Sequence, residues 1–294
     1  MSNYSDALES RYRALGDSVR AKAEGYECDG FRRSYGAMER SWLRKADTYY
    51  WASDIVNAVR HSSMTLPPDT ALSFDRFPHG YAGWFWLERP VVLAPLEAFQ
   101  GMLWTVHDIE NGKHRVLSVT SYAQKDGYLQ SINTAHCDEG RELSEVESDA
   151  LSGADISVGE KLAGNHGLDG IKIGEGKSAA GLLRMLIAQI LWIEQQIVVA
   201  PREQAVRATR RRLPQVTDHG IKVVRLRRAV SRPPESSRMD AVEWSCQWVV
   251  RGHWRQQYYP KTGERSPIWI MPYVKGPEDA PLKTPSPTVF AVTR

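Results

Sequence analysis

Cysteine is scarce in this chain of 294 residues, and long apolar runs are missing from it. The three cysteines, Cys28, Cys137 and Cys246, are scattered and form no CxxC pair, which argues against a disulfide framework and a zinc knuckle. No apolar run approaches the roughly 18 to 20 residues of a membrane-spanning helix, and the N-terminus has no apolar signal segment. The sequence therefore predicts a cytoplasmic protein without a membrane partner.

Motifs of metal-dependent and nucleophilic catalysis are missing as well. The eight histidines form no HExxH pattern, no GxSxG segment occurs, and no cysteine stands in a nucleophile context. His136-Cys137-Asp138 has metal-ligating residue types, but no second pair of ligands accompanies it, so we predict a surface loop there. We expect neither a metal site nor a hydrolytic triad.

A Gly-Lys-Ser triplet at 176–178 precedes an apolar helix and invites comparison with phosphate-binding loops. Such a loop needs a glycine five places before the first residue of the triplet, and that position is Ile171. Because the spacing fails, the sequence predicts no nucleotide cofactor. Lys177 and Ser178 are instead expected to begin the helix, with Ser178 as its N-cap.

Charge is distributed unevenly although the net charge is only +3. Residues 138–160 contain eight acidic residues and one basic residue, Arg141, and we predict a solvated helix and loop for them. Residues 202–255 contain thirteen basic residues against five acidic ones, a local balance of +8. Arginine outnumbers lysine by 27 to 11, which a GC-rich genome alone would produce. A segment of this charge also suits phosphates or an acidic partner.

Hydrophobic periodicity predicts helices at both ends of a β region. Helical patterns cover 4–24 and 37–60, and the most apolar helix, at 178–199, has the composition of a buried core element. Between them, aromatic and β-branched segments predict an antiparallel meander, with Asn111-Gly112 as a hairpin turn. The predicted strands of the meander are 80–88, 99–110, 113–123 and 127–133.

The predicted fold class is α+β, with N-terminal helices, an antiparallel β meander, a central buried helix and a C-terminal β-hairpin unit. A strand at 221–230 and a Pro-rich linker at 231–240 precede that last unit. Four regions follow from this order. They are an N-terminal helical region 1–62, an α+β core 63–200 with the central helix, a basic C-terminal β region 201–275, and a flexible tail 276–294.

The C-terminal β unit contains the densest stretch of the chain, RGHWRQQYYPKTGERSPIWIMPYVKGP from 251 to 277. Side chains alternate between the two faces of a strand. One face, which we predict to be buried and structural, holds Trp244, Trp248 and Trp254. The outward face holds Arg251, His253, Arg255 and Gln257. A turn at 260–263 returns the chain and makes a hairpin.

Three interpretations of the outward face remain open. It is a solvated sheet face, a binding surface for RNA or an acidic peptide, or the centre of a metal-independent ribonuclease. In the ribonuclease, His253 is the general base and Arg251 and Arg255 hold the phosphate. In the binding surface, arginine forks pair with phosphate and tyrosine stacks on bases. The further residues predicted to contact the partner are Tyr258, Arg265, Arg210, Arg211, Arg212 and Arg227.

Four blocks of the sequence resemble, in order, a family of phage and mobile-element proteins that includes the second type V-A anti-CRISPR inhibitor. The blocks are LPPDTALSF with GWFWLE, MLWTVHDIE, LLRMLIAQILWIEQQIVVAP, and RGHW followed by a Thr-Gly turn and a Trp-containing strand. The resemblance covers roughly residues 60 to 275. Its specific part is the block Arg251-Gly252-His253-Trp254 with the hairpin that follows.

That resemblance implies a protein that binds RNA or a translating partner, a ribosome with its nascent chain, and suppresses production of a host defence protein. Arg251, His253 and Trp254 are the matching positions. We therefore expect a phage-encoded counter-defence binder in the host cytoplasm, without a cofactor. The rivals are the ribonuclease centred on His253 and a protein-interaction scaffold in which 80–88 forms an exposed docking edge.

Overall fold

The computed structural model describes residues 5–23, 39–70, 74, 81–92, 98–109, 114–125, 128–152, 177–195, 198–213, 220–226, 245–261, 263–277 and 279–283. The chain forms two compact units, unit 1 from Met1 to Arg227 and unit 2 from Arg228 to Arg294. Helices and a mixed sheet occur together, which confirms the α+β class. Of the helices in the described residues, none is long and apolar enough to cross a membrane.

Unit 1 contains the helices and the large sheet. Its helices are α1 (Ser5–Ala23), α2 (Ser53–Ser63), α3 (Leu143–Ser152), α4 (Lys177–Ile193) and α5 (Arg207–Arg212). Residues 39–45 are also helical. Its strands are β1 (Asp47–Trp51), β2 (Ala82–Val91), β3 (Phe99–Ile109), β4 (His114–Lys125), β5 (Tyr128–Asp138), β6 (Val198–Val199), β7 (Arg202–Gln204) and β8 (Gly220–Leu226).

The strands of unit 1 form an eight-stranded sheet in the order β5-β4-β3-β2-β1-β8-β6, with β7 also paired to β8. Strands β2 to β5 are an antiparallel meander, as predicted. The turn predicted at Asn111-Gly112 lies outside the described residues. β2 pairs on both sides and is buried from Ala82 to Leu87. The exposed edge that the scaffold interpretation placed at 80–88 is therefore wrong.

β1 is the element that the sequence pattern missed. The helix predicted over 37–60 is in fact a helical segment at 39–45, the five-residue strand Asp47–Trp51, and then α2. Strand β1 runs parallel to β2 on one side and to β8 on the other. Thr, Tyr and Trp side chains fit a pleated sheet, and pairing on both edges with burial on both faces outweighs the helical periodicity of the flanking residues.

Helices pack on the sheet as the apolar patterns require. Ala7 and Leu8 of α1 share a buried cluster with Trp84 and Trp86 of β2. α4 is buried along most of its length, from Leu182 to Trp192, and packs on α2, α3 and the neighbouring strands. The predicted central buried helix is thus confirmed, although it ends at Ile193 and not at 199. It begins at Lys177, so Ser178 lies inside its first turn and is not the N-cap.

Arg184 joins three helices of unit 1. From α4, its Nε and Nη2 both donate to the carboxylate of Glu147 on α3, the second at 2.7 Å. Its Nη1 donates to the carbonyl oxygens of Ser63 and Leu66 at the end of α2, at 3.3 and 3.4 Å. A half-buried guanidinium with this many acceptors fixes the packing of the helices, since planar two-point pairing is geometrically specific.

The unit boundary differs from the predicted regions. β7, α5 and β8, which the sequence assigned to the basic C-terminal region, belong to unit 1 because β8 pairs with β1 at its centre. The N-terminal region 1–62 is not separate from the core either, since it supplies β1. Residues 231–240, the predicted linker, lie outside the described residues.

His136-Cys137-Asp138 ends strand β5 and is not a surface loop, so that prediction is wrong. His136 and Cys137 are both buried, and the Nδ1 atom of His136 lies 2.7 Å from the Oγ of Ser118 on β4. His107 of β3 lies nearby and stacks on Trp42 at 5.5 Å between ring centroids. Burial lowers the pKa of His136 to about 3, with His107 adding to the shift. The sheet pairing that buries these residues is long-range, which local composition does not reveal.

A ring of hydrogen bonds joins the amino ends of the three parallel strands. Lys222 Nζ of β8 donates to Asp47 Oδ2 and to the Tyr49 hydroxyl, each at 3.0 Å. The Tyr81 hydroxyl, next to β2, donates to Asp47 Oδ2 at 3.0 Å and lies 2.8 Å from the Tyr49 hydroxyl. Burial raises the pKa of Tyr81, as do Tyr49 and Asp47. Burial opposes the charge of Lys222, but its bonds to Tyr49 and Asp47 raise the pKa overall.

The buried His136 predicts an acid-sensitive stability. Above pH 6.5 the imidazole is neutral in the folded and unfolded chains, and it contributes no pH dependence. Below pH 6.5 only the unfolded chain binds the proton until about pH 3, so the free energy of unfolding falls by up to about 1.4 kcal/mol per pH unit. His136→Gln removes this contribution, and its stability curve between pH 6.5 and pH 4 is expected to be flatter than that of the wild type.

Urea unfolding at a series of pH values, followed by the helical circular dichroism signal, measures this difference. The described helices all belong to unit 1, so the signal reports the unit that contains His136. His61→Gln, on the exposed side of α2, is the matched control and shows what the loss of an exposed histidine does to the same curve. Equal slopes in the wild type and His136→Gln would contradict the assignment.

Candidate nucleic-acid interface

Unit 2 is built on one interrupted hairpin. Its strands are β9 (Trp248–Val250), β10 (His253–Tyr259), β11 (Glu264–Ile270) and β12 (Tyr273–Lys275). Val250 pairs with Tyr273. His253, three residues after Val250, pairs with Ile270, which lies three residues before Tyr273. The register therefore continues unchanged across the gap. The chain turns after Tyr259, where the N–H of Gly263 donates to the Tyr259 carbonyl at 2.9 Å, and Gly263 has a φ of 73°.

The interruption has a physical cause in two residues, Gly252 and Pro272. Pro272 stands opposite Arg251 in the continued register and has no N–H to donate to a ladder. A Cβ atom added at Gly252 would lie 2.5 Å from the Trp269 ring and 3.1 Å from Pro272 Cδ. Glycine is required at this position because the indole occupies the space of a side chain.

The two faces of the hairpin formed by β10 and β11 are different. Trp254 and Trp269 pair across β10 and β11 and make an edge contact with 5.4 Å between ring centroids. Trp269 is only 4% exposed, which makes it the anchor of what we call the tryptophan face. At the base of the hairpin, Lys275 Nζ lies 5.9 Å from the ring centroid of the half-buried Trp248. Trp244 lies outside the described residues.

Arg251, His253 and Arg255 are exposed, and we call them the basic row. His253 and Arg255 pair with the half-buried Ile270 and Ile268 and so share the face opposite the tryptophan pair. Arg255 Nη2 donates to the Oε1 atom of the half-buried Gln257, the next residue on that face. The row thus combines cationic donors on one strand with an aliphatic surface on its partner.

His253 has a defined tautomer. Its Nδ1 atom lies 3.1 Å from the carbonyl oxygen of Arg251. A carbonyl can only accept, so the neutral imidazole carries its proton on Nδ1 and keeps the lone pair on Nε2. The His253 ring N–H thus donates to the carbonyl oxygen of Arg251, the residue opposite Pro272, which has no N–H to donate. His253 is therefore both a structural cap of the break and an exposed base.

The remaining predicted contact residues do not join the basic row. Tyr258 and Arg265 are exposed, but they pair with each other on the tryptophan face. One flat ligand cannot contact both faces at once. Arg210, Arg211 and Arg212 lie on α5 in unit 1, and Arg227 lies outside the described residues.

Part of the predicted tail packs on the base of the hairpin. The Gln247 N–H donates to the Pro281 carbonyl at 2.9 Å, and the Lys283 N–H donates to the Gln247 carbonyl at 2.7 Å. Gly276, with a φ of 123°, lies close to the backbone of Cys246 and Gln247. Sequence composition predicted a flexible tail from residue 276 because proline and charge dominate there, and it gave no signal for this strand-like contact.

In the described part of the chain, no group of three or more His, Cys, Asp or Glu side chains is placed to hold a metal ion. The side chains of Arg251, His253, Arg255 and Gln257 offer guanidinium, imidazole and amide groups. These groups bind anions, and the imidazole can also exchange a proton.

The chain was compared with known protein families, curated proteins and solved structures. No protein-family model matches it, and no curated protein matches it. A solved structure that matches is the crystal structure of AcrVA2, with 14% sequence identity and a TM-score of 0.45, covering 88% of this chain and 82% of that one.

The contact between Gly252 and Trp269 predicts that the hairpin does not tolerate a side chain at 252. Gly252→Ala forces the indole out of its position, at a cost of about 1 to 3 kcal/mol for overpacking. Hydrogen–deuterium exchange of the β10 and β11 amides is expected to accelerate in the variant.

Gly263→Ala is the matched control, because nothing lies within 4 Å of a Cβ atom there. An alanine at the left-handed φ of residue 263 costs about 1 to 2 kcal/mol. We expect the change in hydrogen–deuterium exchange to be concentrated at the turn. Wild-type protection of β10 and β11 in Gly252→Ala would show that the indole does not depend on this glycine.

Proposed function

We propose that this protein is a counter-defence protein of the anti-CRISPR kind that binds RNA through the basic row and so suppresses production of a host defence protein. One observation carries the proposal. Arg251, His253 and Arg255 stand exposed in a line, while the opposite face of the same hairpin holds the buried Trp269 and its partner Trp254. One face stabilises the unit, and the other remains available to a ligand.

The chemistry of the row suits a phosphate backbone. Guanidinium groups offer parallel N–H donors that match phosphate oxygens, and arginine is always charged. Alternate residues of a strand advance about 6.6 Å, so His253 and Arg255 can address neighbouring phosphates of an extended strand. The hydrogen bond from Arg255 to Gln257 directs that guanidinium along the face.

The counter-defence part of the proposal is supported by the resemblance of the RGHW block and the other three blocks to the anti-CRISPR family. In that family the inhibitor lowers production of its target nuclease. The positions that carry the resemblance, Arg251, His253 and Trp254, are also the positions that divide the hairpin into two faces. RNA is the partner proposed. A translating ribosome offers the same phosphates, and an acidic host protein offers carboxylates, so the experiment has to separate these sources.

The two arginines of the basic row supply its permanent charge. Arg251→Ala/Arg255→Ala is expected to weaken RNA binding by at least about tenfold, because charge-assisted hydrogen bonds are strong ones. The slope of log K against log salt should fall by about 1.4, from about 0.7 for each lost contact to a single strand. Filter binding with purified RNA, and crosslinking in cells, measure the two quantities.

Arg265→Ala is the control for that experiment, since it removes one positive charge from the opposite face of the same hairpin. We expect it to bind RNA nearly as well as the wild type. Equal recovery of RNA by the wild type and the double variant would refute the proposal. Binding to purified ribosomes or to an acidic protein, without binding to free RNA, would assign the row to that other partner.

A second candidate function, a metal-independent endoribonuclease, is favoured by the tautomer of His253. With its proton fixed on Nδ1, the exposed imidazole presents the Nε2 lone pair to solvent, which is the form a general base needs to take a proton from a ribose 2′-hydroxyl. The neighbouring arginines would stabilise the charge that develops on the phosphate.

Incubation of the purified protein with transcripts in EDTA tests this candidate. A ribonuclease would cleave without metal, and His253→Ala would lower the cleavage rate by about 100-fold or more, the usual contribution of a general base. His253→Ala also removes the bond to Arg251, so hydrogen exchange of β10 should be measured on the same sample. If the transcripts stay intact after incubation with the wild type, the ribonuclease is refuted and RNA binding is the function that remains.

A further inference from the structure

Helix α5 has two sides with different partners. Towards α1, the Thr209 hydroxyl and the Arg212 Nη2 both donate to Glu9 Oε1, the second at 2.6 Å. The Val206 N–H donates to the Ser5 hydroxyl at 2.9 Å. Thr209 is fully buried by this contact. One side of the helix is thus bound to α1 and uses Arg212 to do so.

The other side of α5 carries Arg207, Arg210 and Arg211, which we call the arginine triad. All three are exposed, and residues three and four places apart lie on the same side of a helix. None of them forms an ion pair with an acidic residue in the described part of the chain. Like charges at these spacings destabilise a helix. A cluster of this kind attracts an anion.

We infer that the arginine triad is a second RNA-binding surface and that the protein binds a long RNA through both units at once. The inference rests on the proposed function, because it takes the basic row of unit 2 as the first surface. The two surfaces are in different units, and the +8 segment of the sequence is divided between them. An RNA that reaches both surfaces can occupy them together.

Two quantities follow from double attachment. Linked binding events raise the overall affinity by about 10² to 10⁴ over either surface alone when one ligand reaches both. Each phosphate contact to a single strand adds about 0.7 to the salt slope, so three arginines add about 2. Loss of the triad should therefore be visible mainly with long RNA.

The experiment uses the full-length protein with an RNA of 8 nucleotides and one of 60 nucleotides. The variants are Arg207→Ala/Arg210→Ala/Arg211→Ala, the row variant Arg251→Ala/Arg255→Ala, and the control Arg212→Ala. The control removes one arginine from the bound side of α5, and circular dichroism reports whether it leaves unit 1 folded. We expect the triad variant to lose at least about tenfold in affinity for the long RNA and about 2 from its salt slope. Its affinity for the short RNA should change far less.

The outcomes separate this inference from the proposed function. If the row variant loses RNA binding while the triad variant matches the wild type with both RNAs, the function stands and the second surface is refuted. If the triad variant alone loses binding, α5 is an RNA surface and the basic row is not. A DNA strand of the same length and sequence, bound equally well, would show that the triad recognises phosphate without regard to the sugar.

Discussion

The parallel pairing of β1 with β2 and β8 is the interaction on which unit 1 depends. Strand β1 is five residues long, yet it connects the antiparallel meander on one side to β8, β7 and β6 on the other. Without it the meander and the segment from 198 to 226 would be two separate sheets. Its side chains show the same constraint, because Tyr50 and Trp51 are buried on opposite faces. The hydrogen-bond ring at Asp47 closes only because the three strands are parallel and in register.

In unit 2 the corresponding constraint is the seat of Trp269 against Gly252. It explains each residue of the RGHW block in physical terms. Gly252 leaves space for the indole, Trp254 meets the edge of that indole, and the His253 imidazole donates to the Arg251 carbonyl next to the proline break. Arg251 is the one member whose side chain has no structural task visible in this arrangement.

The sequence predicted those features of the fold that local patterns determine. Alternation predicted the meander strands and the two faces of the hairpin, and apolar composition predicted the buried helix α4. It failed where distant pairing decides the outcome. Asp47–Trp51 follows a helix and precedes another, so only its two partner strands identify it as a strand. The sequence predicted a loop at His136, whereas the pairing of β4 with β5 buries this residue in the sheet. Tyr258 and Arg265 were predicted as further contact residues. Alternation along β10 already places Tyr258 on the face of Trp254, and the pairing of Arg265 with Tyr258 depends on the register of the return strand, which one strand alone does not reveal.

Charge counting along the sequence had the same weakness. The +8 of residues 202–255 treats every arginine as available, but Arg212 is paired with Glu9 and Arg225 lies 3.7 Å from Glu203. Surface ion pairs of this kind contribute little to stability, yet they reduce the positive potential that a polyanion meets. Among the described arginines of this segment, Arg207, Arg210 and Arg211 are exposed on a short helix, and Arg251 and Arg255 are exposed in the hairpin. Because these groups lie in different units, the net charge of the segment describes neither of them by itself.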